Sequence, residues 1–182
     1  MVETEYIKKV YLLGIGGIGM SALARYFKAG GMQVAGYDRT PTELTLLLEK
    51  EGMSIHYEDD TSLIPASYRS PQNTLVVLTP AVPTDHSELA WFRSQHYGIY
   101  KRSEMLGFIT RNKKTIAVAG THGKTTVSTM IAHLMVNAGP GCSAFLGGIS
   151  RNFNSNLVLH PQSKWVIAEA DEFDRSFLRL FP

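Results

Sequence analysis

Cysteine is almost missing from this sequence. Cys142 is the only one in 182 residues, which rules out an internal disulfide and suits a reducing, cytoplasmic compartment. Nothing near it in sequence looks like an activating base, so it reads as a small buried hydrophobe rather than a catalytic thiol. Long apolar runs are missing too, and none is long enough to span a bilayer. The opening Met1-Val2-Glu3-Thr4-Glu5 carries early acids and no apolar h-region, unlike a signal peptide. Charge of one sign is also lacking: 18 Lys plus Arg face 16 Asp plus Glu, a formal +2, with no block of like charges. That balance gives no support to nucleic-acid or membrane partners. No repeat or low-complexity segment is present. The 44% apolar and 10% aromatic content is that of an ordinary soluble chain, with material for one or two compact α/β units.

Where glycine clusters, it separates an apolar strand from a helical pattern. Lys9 to Leu13 predicts a buried strand, followed by Gly14-Ile15-Gly16-Gly17-Ile18-Gly19 and a helix through Met20, Leu23, Ala24 and Phe27 that stops at Gly30-Gly31. Gln33 to Tyr37 predicts a second strand ending at Asp38. Thr40 as N-cap and Pro41 at the first helical position then predict a helix through Leu44, Leu47 and Leu48, closed by Gly52. After a polar connection around Pro65 and Pro71 come a strand at Leu75 to Leu78, a break at Thr79-Pro80-Ala81-Val82-Pro83, a helix over Ser87 to Gln95 and a short strand at Ile99-Tyr100. This alternation predicts a Rossmann-like, parallel-sheet α/β domain.

A fresh strand begins at Thr115, so we place a boundary in the polar stretch 110–114. The expected domains are 1–110, Rossmann-like, and 111–182, the start of a P-loop ATPase α/β domain. The second shows only two clear strands, the other being Trp165 to Ala168, and one obvious helix. A parallel sheet needs cover on both faces, so this domain is expected to be truncated.

The first glycine turn matches G-x-G-x-x-G between a strand and a helix, with Asp38 at the end of the next strand to accept a ribose hydroxyl. A tight βα turn without ligand has the same local pattern, and the motif does not say which nucleotide or dinucleotide binds. The second turn, Gly120-Thr121-His122-Gly123-Lys124-Thr125-Thr126, follows Thr115 to Ala119. It is not the standard P-loop, because Val118 stands where the first glycine belongs. Its working parts remain: backbone N–H groups, Lys124 for the β- and γ-phosphates, and Thr125 for Mg²⁺. His122 reads better as a positional residue than as an acid-base group. Glu169, Asp171, Glu172 and Asp174 follow the last strand, where carboxylates of open α/β sheets hold Mg²⁺ directly or through water.

GIGGIGMSALA (14–24), AVAGTHGKTT (117–126) and EADEFDRSF (169–177) together resemble the Mur ligases of bacterial cell-wall synthesis. The resemblance implies ATP-dependent amide formation. A muramyl carboxylate on UDP-N-acetylmuramate takes the γ-phosphoryl group, and the acyl phosphate is attacked by the amine of L-alanine. It makes Gly120, Thr121, His122, Gly123, Lys124, Thr125 and Thr126 the ATP loop, with Lys124 catalytic and Thr125 and Glu169 the Mg²⁺ ligands. It makes Gly14, Ile15, Gly16, Gly17, Ile18, Gly19 and Met20 the UDP-diphosphate turn, with Asp38, Thr79, Pro80, Ala81, Val82 and Arg102 completing the UDP-substrate contacts, and Gly147-Gly148 a turn approaching the sugar. Phe173 leans toward family members that add a tripeptide to the same UDP-sugar, while residues 14–20 favour alanine addition. Members of the family carry a complete central ATPase domain and a further C-terminal one. The resemblance covers their front part, so the piece is expected to bind the UDP-sugar without turnover. Two other readings are a nucleotide-binding module without chemistry, against which Lys124, Thr125 and Glu169 speak, and an NAD-dependent oxidoreductase, for which the second loop is surplus.

Overall fold

The computed structural model describes residues 6–170 and Leu180. The chain divides into two compact units, Met1–Arg102 and Ser103–Pro182. The division falls at the start of a helix, Arg102–Thr110, whereas the sequence reading puts it at that helix's end.

The first unit is built on a five-stranded sheet in the order β3-β2-β1-β4-β5, with every neighbouring pair parallel. The strands are β1 (Lys9–Leu13), β2 (Gln33–Tyr37), β3 (Ser54–His56), β4 (Thr74–Leu78) and β5 (Gly98–Lys101). Helices α1 (Ile18–Ala29), α2 (Glu43–Lys50) and α3 (Ser87–Ser94) fall between them in sequence. Val10 to Leu13 of β1 are all fully buried, so the central strand reads as a continuous apolar run rather than an alternating one. Leu13 is in register with Tyr37 of β2 and Leu78 of β4. The chain therefore leaves β1 to one side and crosses later to the other, and the ends of β1 and β4 mark the point where the winding reverses.

Two elements here differ from expectation. Helix α2 starts after Thr42, not Thr40: Thr42 Oγ1 accepts from Thr45 N while Thr45 Oγ1 accepts from Thr42 N at 2.8 Å, a reciprocal cap. The Thr40 amide is instead drawn to Asp38 Oδ1 at 3.2 Å. Strand β3 was not foreseen, because Ser-Ile-His offers one apolar residue and no period.

The core beside β1 is aromatic. Phe92, fully buried, lies 5.0 Å from Tyr11, 4.9 Å from Tyr97 and 5.1 Å from Trp91 between ring centroids, in tilted and edge-on arrangements. Such pairs add to the burial of their area.

The second unit holds α4 (Arg102–Thr110, from the last residue of the first unit), β6 (Lys114–Val118), α5 (Lys124–Ala138), β7 (Ser143–Ser150), β8 (Ser155–Val158) and β9 (Trp165–Glu169). Its sheet has the order β6-β9-β7-β8, the first three parallel and β8 antiparallel to β7. The expectation of two clear strands is corrected: among the described residues there are four, and the sheet is mixed. Gly147 and Gly148 disguised β7. They lie inside the strand, where its register with β8 shifts between Phe145 and Ser150, rather than in a turn. Cys142 is fully buried among Ala132, Ala144 and Ile167. Burial pushes its thiol up to about 11, so it packs as a hydrophobe. No helix among the described residues is long and apolar enough to cross a membrane.

Truncating the aromatic core tests this packing. Phe92→Ala is expected to lower stability by about 3–5 kcal/mol, read as a lower urea midpoint by tryptophan fluorescence, since Trp91 packs on Phe92. An unchanged midpoint would show that the cluster contributes little.

Candidate functional site

At the C-terminal ends of β1 and β4 the chain makes two turns that touch. Gly14 N donates to Tyr37 O at 2.8 Å and Thr79 N to Leu13 O at 3.3 Å. Gly14, at φ +82°, faces the Thr79 methyl so closely that a Cβ would collide with it. Between the turns opens a cavity of about 670 Å³, a size suited to a nucleotide-scale ligand. Gly14, Gly16 and Gly17 form one wall; Thr79, Ala81 and Val82 form another; Asp38 and Arg39 follow β2. Helix α1 begins here with no side-chain cap and no acid in its first turn. Its partial positive charge is left to an anionic ligand.

The remaining residues expected at this site do not line the cavity. Ile15 and Met20 are buried in the core, so only their backbone belongs to the turn. Ile18, Gly19, Pro80 and Arg102 are not part of the cavity wall. Gly19 is needed for another reason: a Cβ there would stand 2.8 Å from Arg102 Nη1, so its bareness lets the guanidinium lie against the start of α1. Asp38 braces the turn, with Oδ2 accepting from Gly16 N at 2.7 Å. Sequence reasoning missed Tyr37, Arg39, Asp59, Asp85 and His86 in the wall; only Arg39, next to Asp38, carried a positional signal.

In the second unit, Gly123 at φ +78° leads into α5, which also has no side-chain cap and no acid in its first turn. Lys124 Nζ donates to Gly120 O at 2.8 Å, folded across the loop. Glu169, at the end of β9, comes to the same place: Oε2 accepts from Thr125 Oγ1 at 3.2 Å, while Oε1 accepts from Gly147 N at 2.7 Å and Ser128 Oγ at 3.2 Å. Thr125 and Glu169, the two expected metal ligands, are thus neighbours. Ser128 and Gly147 were not foreseen as theirs. A Cβ on Gly147 would stand 2.5 Å from Glu169 Oε2, so this glycine serves the carboxylate. A hydroxyl beside a carboxylate is a hard-oxygen pair of the kind Mg²⁺ takes, with phosphate and water as further ligands. Thr121, His122 and Thr126 are exposed. Asp171, Glu172 and Asp174 lie outside the described residues.

Residues 9–114 match the model of the Mur ligase family, catalytic domain. The chain belongs to the Mur ligase family. It is 54% identical, over its whole length, to a UDP-N-acetylmuramate–L-alanine ligase of Cytophaga hutchinsonii, and 56% identical over 97% of its length to one of Porphyromonas gingivalis. It spans about 40% of the length of these relatives. Among solved structures, it resembles a UDP-N-acetylmuramate-alanine ligase from Thermotoga maritima, with TM-score 0.79 and 34% identity over 90% of this chain and 37% of that one. A murein peptide ligase from Psychrobacter arcticus has TM-score 0.81 over 96% of this chain and 41% of its own, but at 24% identity this shows the fold alone.

This Mur ligase chain also buries a titratable network beside the cavity-lining Tyr37 and His86. His56 Nδ1 lies 2.9 Å from Glu58 O, a carbonyl that only accepts, so Nδ1 carries a proton. Tyr11 Oη lies 2.7 Å from both His56 Nε2 and Glu88 Oε2. One phenol proton cannot serve both contacts. With Glu88 ionised and His56 charged, Tyr11 donates to Glu88; with both neutral, Glu88 donates to Tyr11 and Tyr11 to His56. Glu88 is fully buried, and that burial, added to by Asp59 and Asp60, outweighs the Tyr11 hydrogen bond and pushes its carboxyl up to about 8. Burial lowers His56, so the neutral arrangement is favoured.

The sign of the pH dependence follows. From its ordinary 4.5 to about 8, Glu88 keeps a proton in the fold that the unfolded chain has lost, so its contribution is full at low pH and declines as pH rises through that window. His56 acts oppositely, lowering stability below about pH 6.5. Glu88→Gln is expected to flatten the loss of thermal stability as pH rises from about 5 to about 8. Melting curves that fall equally steeply in both proteins would show that Glu88 is not the group responsible.

Proposed function

We propose that the chain carries the UDP-sugar domain, 1–110, and the opening of the ATP-binding domain, 111–182, of an ATP-dependent ligase that joins L-alanine to UDP-N-acetylmuramate in peptidoglycan precursor synthesis. The observation that carries this reading is the pair of uncapped helix N-termini, each fed by a glycine turn and each equipped for phosphate: α1 with Arg102 beside it, α5 with Lys124 and the Thr125–Glu169 pair. Relatives named as the alanine-adding enzyme, at 54% and 56% identity, support it over tripeptide addition. A cytoplasmic setting suits both the UDP-sugar and the buried, unreactive Cys142.

The chemistry divides between the two loops. A carboxylate is a poor acyl donor, and phosphorylation gives it a leaving group. Residues 14–20 and the Thr79–Val82 turn hold the diphosphate and its sugar, and the Arg102 guanidinium grips phosphate oxygens in a bidentate manner. Lys124 leaves the Gly120 carbonyl to meet the β- and γ-phosphates, offsetting charge as the phosphoryl group moves. Thr125 and Glu169 would hold Mg²⁺, which when bound would neutralise phosphate charge. In this role the Thr125 hydroxyl, whose hydrogen goes to Glu169 Oε2, would offer an oxygen lone pair to the cation.

Calorimetry with UDP-N-acetylmuramate tests the first half. Binding is expected in the 182-residue chain, and Arg102→Ala should weaken it by about ten- to a hundredfold, the loss of a charge-assisted hydrogen bond. Alanine-dependent phosphate release is expected to be absent. Failure to bind the UDP-sugar would refute the domain assignment, and appreciable turnover would refute the inactivity of this chain.

A further inference from the structure

Gly147 lies inside β7, and a glycine in a strand interior weakens it unless something must approach the backbone closely. A Cβ there would stand 2.5 Å from Glu169 Oε2 and 3.0 Å from Thr125 Oγ1, the two oxygens of the candidate Mg²⁺ pair. The next residue differs: a Cβ on Gly148 would meet only the Thr125 methyl, at an ordinary 3.6 Å. Neither glycine has a left-handed φ, so φ does not call for glycine at either position. What singles out Gly147 is the space beside two ligand oxygens.

The backbone points to the same place. Pairing of β7 with the parallel β9 runs from Ser143 to Phe145, opposite Val166 to Ala168, and the register of β7 with β8 shifts between Phe145 and Ser150. Irregularities of this kind re-aim groups next to functional sites. Here the Gly147 amide donates to Glu169 Oε1 at 2.7 Å. That bond holds the carboxylate by one oxygen and leaves the other, Oε2, 3.2 Å from Thr125 Oγ1. Adjacent ligands of an octahedral Mg²⁺, with bonds of about 2.0–2.1 Å, stand about 3 Å apart. The pair is spaced like one such edge. Gly147 is exposed, and Thr125 and Glu169 are half-buried, so solvent reaches the space beside them.

We propose that Gly147 is a positioning residue for Mg²⁺: its amide pins Glu169 Oε1, and its bare Cα keeps free the space that the cation needs beside Oε2 and the Thr125 hydroxyl. The inference rests on the reading of Thr125 and Glu169 as Mg²⁺ ligands and adds the group that orients them. A methyl at position 147 collides with the far ends of two side chains rather than with backbone. It therefore displaces the carboxylate from Thr125 and leaves the strand in place. Groups that orient a metal ligand typically govern metal affinity by about ten- to a hundredfold.

Calorimetry of ADP on the 182-residue chain, with and without Mn²⁺ as the Mg²⁺ substitute, tests this. Wild-type protein is expected to bind ADP more tightly when Mn²⁺ is present. Gly147→Ala should cut that gain by about tenfold or more, with metal-free ADP affinity and melting temperature close to wild type; a glycine needed only by the strand would lower stability and spare the gain. Gly148→Ala should keep most of it. A gain intact in Gly147→Ala, or lost equally in Gly148→Ala, would overturn the assignment. In wild type, the Gly147 amide resonance should broaden when paramagnetic Mn²⁺ joins ADP, a readout that needs no variant to fold, and a Gly147 resonance that stays sharp would also overturn it. No Mn²⁺ gain in wild type, or a gain that survives in Glu169→Gln, would instead sink the reading of the pair as Mg²⁺ ligands, and the inference with it.

Discussion

The pairing of β1 with β2 on one side and β4 on the other is the constraint from which the first site follows. Parallel neighbours must be joined by crossovers, and crossovers that leave a central strand in opposite directions open a crevice at its C-terminal end. Leu13 is the last residue of that strand, in register with both Tyr37 and Leu78. The next residues on all three strands, the Gly14 turn, Asp38 and the Thr79 turn, therefore have nowhere to go but around one cavity. Burial of Val10 to Leu13 fixes the register energetically, since a slip would drag apolar side chains past polar loops.

Both units use a strand-end carboxylate in the same way, with different consequences. Asp38 accepts the amide of Gly16, and Glu169 accepts the amide of Gly147. In each case the absence of a side chain on the glycine lets a carboxylate approach the backbone. Asp38 spends its oxygens on amides of its own neighbourhood, Gly16 and Thr40, and so stiffens the turn that faces the ligand. Glu169 receives two hydroxyls as well, from Thr125 and Ser128, and hydroxyls can rotate. The first carboxylate is a brace, and the second is a ligand held ready, since a cation displaces a hydroxyl hydrogen more easily than it displaces a backbone amide.

Much of the fold was legible because parallel strands buried on both faces are uninterrupted apolar runs and glycine turns punctuate them. Lys9–Leu13, Gln33–Tyr37 and the segment after Gly123 could hardly be read otherwise. Ser54–His56 and Ser155–Val158 were not legible, since edge strands of three or four residues carry no period. Ser143–Ser150 was hidden by two adjacent glycines, of which Gly147 serves the Glu169 carboxylate rather than a turn. The candidate site divides along the same line. Residues contiguous in a motif were found, whereas Asp59 and His86, which meet only through the tertiary fold, left no local trace; nor did Tyr37, which looks like any strand-end aromatic.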